Sequence, residues 1–172
     1  MKRIFLCFAA LLLCVSAGCS AKSVTATVTG DGAELKGMMG PPSLTVSSGT
    51  RKLQTWSRSS VWDRGGYPIY ADGAYVFDSY LKGDLIQIDA VTGQTIELRF
   101  EAMPDRVTVE MWKAECATYD LSRYSESIKL PVEGNSFKVP SDGEYLYEID
   151  AEWDEIDGYG GHAIYTFSTA GK

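Results

Sequence analysis

Residues 144–154 read Glu-Tyr-Leu-Tyr-Glu-Ile-Asp-Ala-Glu-Trp-Asp. Tyr145, Tyr147, Ile149, Ala151 and Trp153 fall on one parity, and Leu146, Glu148, Asp150, Glu152 and Asp154 on the other. A strand sends alternate side chains to opposite faces. The stretch therefore predicts one long strand with an apolar face and an acidic, solvated face. A helix would scatter the same carboxylates around its circumference. After Asp157-Gly158-Tyr159-Gly160-Gly161, a turn by composition, Ala163, Tyr165 and Phe167 share a parity that can join the apolar face. This hairpin is expected to form half of a sandwich core.

The same period extends upstream. Ile96, Leu98 and Phe100 alternate, as do Val107, Val109 and Met111, with a corner at Met103-Pro104-Asp105 between them. Leu44 to Trp56 offers one or two short strands, and Leu85 to Asp89 another. Ile128-Lys129-Leu130 and Ser136 to Val139 read as short strands about a Glu133-Gly134-Asn135 turn. Residues 114–126 are polar and read as a long loop. Residues 56–80 are rich in Trp and Tyr but broken by Gly65-Gly66, Pro68 and Asp72-Gly73, which predicts loops and short strands rather than a helix. About seven to nine strands with regular turn signals predict an all-β, antiparallel two-sheet β-sandwich of Ig-like architecture. Tyr145, just after Gly143, stands where such folds place a tyrosine corner. The Cys…Trp…Cys signature of antibody domains is absent.

The N-terminus supplies an address. Lys2-Arg3 precede an apolar run from Ile4 to Val15, shorter than the roughly 20 residues that span a bilayer. Ser16-Ala17-Gly18-Cys19 follows, and small residues before a cysteine resemble the lipobox of bacterial lipoproteins. That resemblance implies cleavage before Cys19 and acylation of its thiol, palmitate included, giving an extracytoplasmic protein tied to the cell membrane. Residues 1–18 then form a lipoprotein signal peptide, 19–43 a lipidated spacer and 44–172 the sandwich domain. Gly30-Asp31-Gly32, Gly37 and Gly40-Pro41-Pro42 punctuate the spacer.

Export decides the cysteine chemistry. Cys7 and Cys14 leave with the signal and Cys19 becomes a thioether, so Cys116 is the one free thiol and no intrachain disulfide can form. Stability must come from a packed core. The whole chain carries a net charge of −7; removing Lys2 and Arg3 with the signal leaves 14 basic against 23 acidic residues, or −9. This argues against a nucleic-acid partner and against a polybasic grip on anionic lipid. The excess is local: eight carboxylates and no Lys or Arg lie between Asp142 and Asp157.

Few residues suggest catalysis. His162 is the one histidine and sits between Gly161 and Ala163 at the mouth of the hairpin, without a nucleophile elbow. It is expected to face solvent. Calcium has weak candidates in Asp154, Glu155 and Asp157, because the glycine and spacing of an EF-hand loop are missing. No cofactor is implied. The best functional lead is aromatic. Trp56 and Phe77 are expected inside, whereas Trp62, Tyr67 and Tyr70, next to Gly and Pro, are expected to be exposed and to contact a ligand.

From Trp56 onward the pattern resembles an uncharacterised module of Gram-positive bacteria, found in free lipoproteins and as the C-terminal extension of some antirepressor-type membrane metallopeptidases. Thr55-Trp56, Ile96 to Phe100, Pro104 to Val109, Gly143 to Glu148, Ala151-Glu152-Trp153 and Gly161 to Phe167 carry it, over roughly residues 44–169. The resemblance implies an extracytoplasmic β-sandwich and transfers no catalytic residue; the peptidase motif His-Glu-x-x-His is missing. The expected function is a non-catalytic, membrane-anchored binding module with a protein or cell-wall glycan partner. The alternatives are a wall-polymer or peptide hydrolase working through carboxylates, and an accessory or sensory domain for a membrane partner.

Overall fold

The structure, a computed structural model, describes residues 34–170. Cys19 and the signal and lipobox readings lie outside those residues. Two sheets pack face to face. The smaller is built from β1 (Leu44–Ser48), β2 (Arg51–Thr55), β6 (Thr95–Phe100) and β9 (Ser136–Lys138), in the order β2-β1-β6-β9. The larger contains β3 (Ser59–Arg64), β4 (Pro68–Ala71), β7 (Arg106–Lys113), β8 (Ile128–Leu130), β10 (Tyr145–Ile156) and β11 (Tyr159–Ala170), in the order β4-β3-β11-β10-β7-β8. Its seventh strand, β5 (Gln87–Asp89), pairs parallel to the end of β11; every other pairing is antiparallel.

The all-β sandwich is therefore as the alternation predicts, with eleven strands among the described residues rather than about seven to nine. The extra strands come from the aromatic stretch. There Gly65 and Gly66, both at positive φ, make a two-residue turn that joins β3 to β4. A six-residue helix, α1 (Val76–Leu81), also forms there, too short for helical periodicity to register. The stretch 114–126 is not a plain loop but holds two 3-10 turns, Ala114–Cys116 and Leu121–Glu126. β8 and β9 flank a turn but do not pair with each other; the chain switches sheets between them.

The central hairpin carries the core. Tyr145, Tyr147, Ile149, Ala151 and Trp153 are all buried, as are Ala163, Tyr165 and Phe167 across from them. Fully burying a large apolar side chain contributes about 1.5–3 kcal/mol, so this one face dominates cohesion. Tyr147 stacks on Phe167, with ring centroids 4.8 Å apart. The hydroxyl of Tyr145 donates to the Asp142 carbonyl at 3.2 Å, the bond that defines a tyrosine corner. Leu35 is buried in the same core, Met38 packs against it, and the Tyr165 hydroxyl donates to the Pro42 carbonyl. The domain thus draws in residues that the sequence reads as spacer.

A second, smaller cluster sits on the outside of the larger sheet. Val76 and Phe77 of α1 cover Trp112 and Leu146, with Tyr124 tilted against Trp112 at 4.7 Å. The Trp112 indole N–H donates to the Tyr124 carbonyl at 3.0 Å. Leu146 is thus buried although it shares its parity with the acidic residues.

Candidate functional site

The outer face of the larger sheet is two different surfaces. One end lies under the lobe made by α1 and the 3-10 turns. The other end is open. Across it, in register, run Tyr70 of β4, Val61 of β3, His162 of β11, Glu152 of β10 and Arg106 of β7. One row nearer the lobe, Thr108 lies beside Asp150, which faces Ile164. The next row, at the lip of the lobe, is Glu110, Glu148 and Thr166.

These carboxylates are half-buried rather than free in solvent, because the sheet floor and the lobe wall exclude water from one side of each. The Tyr124 hydroxyl donates to Glu148 Oε2. Burial pushes Glu148 above the usual carboxylate range; that hydrogen bond opposes the rise, while Glu110 and Asp150 add to it. Burial also raises Asp150, against the pull of His162, whose Nε2 lies 2.7 Å from Asp150 Oδ1. Tyr124 is itself held protonated, first by burial and then by Glu148, which keeps it a donor. Farther out, the Arg106 guanidinium binds both Glu152 and Asp154.

His162 is therefore half-exposed and engaged with a carboxylate, not simply solvent-facing. No hydroxyl or thiol among the described residues is hydrogen-bonded to it. Asp154, Glu155 and Asp157 do not gather around a point: Asp154 is taken by Arg106, and Asp157 sits in the hairpin turn at φ 55°. Among the described residues, no group of three or more His, Cys, Asp or Glu side chains could hold a metal ion.

The aromatic candidates separate. Tyr67 and Tyr70 are 75% and 72% exposed, as expected. Trp62 is fully buried, which corrects its reading as a contact residue. Adjacent Gly and Pro suggest a loop, but Trp62 lies in β3 on the parity that faces the core, where it meets Trp153 edge-to-face. Trp56 is also reversed: it follows the last residue of β2 and is 67% exposed. Phe77 is inside, under the lobe rather than between the sheets. Cys116 is half-buried and free, its Sγ 3.7 Å from both Glu126 Oε2 and Arg123 Nη2.

Sequence reasoning missed the row of Glu110, Glu148 and Thr166 and the contact of Asp150 with His162. The parity of β10 already placed Glu148 and Asp150 together. What it lacked was the register of β7 and β11. The chain matches no protein-family model, no curated protein and no solved structure. Among the described residues, no helix is long and apolar enough to cross a membrane.

Proposed function

We propose that this chain is an extracytoplasmic lipoprotein, anchored through acylated Cys19, whose sandwich binds a protein or cell-wall glycan partner with the open end of the larger sheet's outer face and does not turn it over. One observation carries this reading. The helical lobe buries one end of that face and leaves the other bare, with the exposed apolar side chains of Val61 and Tyr70 leading through His162 to half-buried carboxylates. Rigid aromatic groups beside charged ones are the usual anchors of a binding surface. The outer face of the smaller sheet offers no such pairing; Thr45, Lys52, Gln54, Glu97 and Arg99 line it. The carboxylates are also already engaged, by Tyr124, His162 and Arg106, rather than aimed at a common reacting atom.

A photo-crosslinking residue placed at Val61 or Tyr70 in intact envelopes tests the surface. The expected result is one discrete crosslinked species from either position and none from Lys52 or Arg99. Equal crosslinking from both sheets overturns it. The contact between Asp150 and His162 favours a second reading, a hydrolase in which the carboxylate orients the imidazole. Release of fragments from purified wall, abolished by His162→Ala, would establish that reading instead.

A further inference from the structure

Glu110 and Glu148 stand directly opposite each other on neighbouring strands. Cross-strand partners have Cβ atoms about 4.5–5.5 Å apart, and like charges so placed are destabilising. Asp150 follows Glu148 on the same face, about 6.8 Å along the strand. The local cations do not balance them. Lys129 approaches Glu110 at 3.5 Å from a largely exposed position, and His162 serves Asp150.

The other side of Glu148 holds an independent sign. Thr166, its partner on β11, leaves the same face of the sheet, is 2% exposed, and its hydroxyl has no hydrogen-bond partner. A buried hydroxyl without a partner costs about 1–3 kcal/mol. Above the row stands an aromatic wall: Tyr124, and against it Tyr75, edge-to-face at 5.7 Å and 54% exposed. The arrangement therefore combines an excess of carboxylates, an acceptor hydroxyl awaiting a donor, and aromatic rings at the rim. A compact cation with several N–H donors meets all three, through charge-assisted hydrogen bonds and cation–π contact.

We infer that the row of Glu110, Glu148 and Thr166, continued by Asp150 and walled by Tyr124 and Tyr75, receives a primary ammonium group, the side chain of a lysine on an extended peptide partner. The inference rests on the reading of this face as the binding surface, and it names what that surface selects. The ammonium sits between Glu110 and Glu148, relieves their repulsion and, with a small shift of the cover over the Thr166 hydroxyl, which solvent does not reach, donates to that oxygen. The peptide continues over the open end of the face toward Val61 and Tyr70.

The test is an amide chemical-shift titration of the full processed lipoprotein in non-ionic detergent at low ionic strength. The probe is acetyl-Ala-Lys-Ala-Lys-Ala-amide, compared with its Nε-acetylated counterpart. Shifts centred on residues 110, 148, 150 and 166 are expected for the free-amine peptide. Acetylation and Glu148→Gln should each weaken binding about tenfold, as loss of a charge-assisted contact does, and Tyr75→Leu about threefold. Glu97→Gln, on the other sheet, should change nothing. Equal weakening by Glu97→Gln, or no loss on acetylation, overturns the inference and leaves only general attraction to an acidic protein. If Glu148→Gln does not fold, the rim variant Tyr75→Leu decides, and unchanged binding there overturns it. Crosslinks from Val61 and Tyr70 without any lysine-peptide shifts would retain the binding face and discard the ammonium receptor.

Discussion

The indoles of Trp62 and Trp153 meet edge-to-face, with ring centroids 5.5 Å apart and planes at 78°. Trp153 also meets Phe100 of the opposite sheet at 5.8 Å, and its N–H donates to the Ala102 carbonyl at 3.1 Å. The contact therefore ties the edge hairpin of β3 and β4 to the central strand and, through it, to the smaller sheet.

Removing one member leaves a cavity that rigid sheets cannot close. Trp62→Ala is expected to cost about 3–5 kcal/mol, as truncation of a buried aromatic does. Trp62→Phe should cost clearly less, because the Trp62 N–H has no partner to lose. Denaturant unfolding checks both. Equal losses from the two variants would mean that the edge contact is not what holds the hairpin.

Glu148 sets a pH dependence. Its proton affinity is raised in the folded chain, above about 4.3 for an unperturbed glutamate. Below both values, folded and unfolded chains are equally protonated at this site. Between them the folded chain holds the proton more tightly, so stability falls as pH rises through that interval and the loss is complete above it. Glu148→Gln removes this dependence and can still accept from Tyr124. The variant should gain on the wild type as pH goes from about 4 to 7. Melting curves of both proteins across that range measure it; a variant that loses ground to the wild type as pH rises refutes the assignment.

Gly161 is required by close approach. It lies at φ 139°, and a Cβ there would fall 2.2 Å from the Val61 carbonyl oxygen. Gly161→Ala must push β3 away from β11 and is expected to cost about 1–3 kcal/mol in strain. Gly134, also at positive φ but with nothing within 4 Å of a built Cβ, serves as the comparison. Its Asn variant should be nearly neutral, because Asn tolerates that conformation. Denaturation midpoints of the pair separate crowding from backbone preference.

The proposed lipid anchor rests on one thiol, that of Cys19. Labelled palmitate should enter the wild-type protein and a Cys14→Ala variant but not Cys19→Ala, and only Cys19→Ala should leave the membrane fraction. Two acyl chains give stable anchoring where one is marginal. Cys19→Ala that stays with membranes would refute the lipid tether.

The alternation of residues 144–154, by itself, determined the long strand, its buried face and so the sandwich, because side-chain period and burial are tied together in any strand. The turn residues followed from composition in the same local way. The outer face was a different matter. Asp157 and Gly158 form a two-residue turn that pairs Ile156 with Tyr159, and in unbroken register His162 would lie opposite Trp153, inside the core. The irregularity between Trp153 and Ile156 shifts the pairing by one residue, so that His162 faces Glu152 and Tyr165 joins Ile149. A one-residue slip exchanges every side chain between faces; the parity of Ala163, Tyr165 and Phe167 already favours the observed face, and their packing against the smaller sheet enforces that choice. That choice, together with the docking of α1 on Trp112, sets Glu110, Glu148 and Thr166 in one row. Contacts between strands far apart in sequence leave no local period to read, and so the outer face belongs to the tertiary structure.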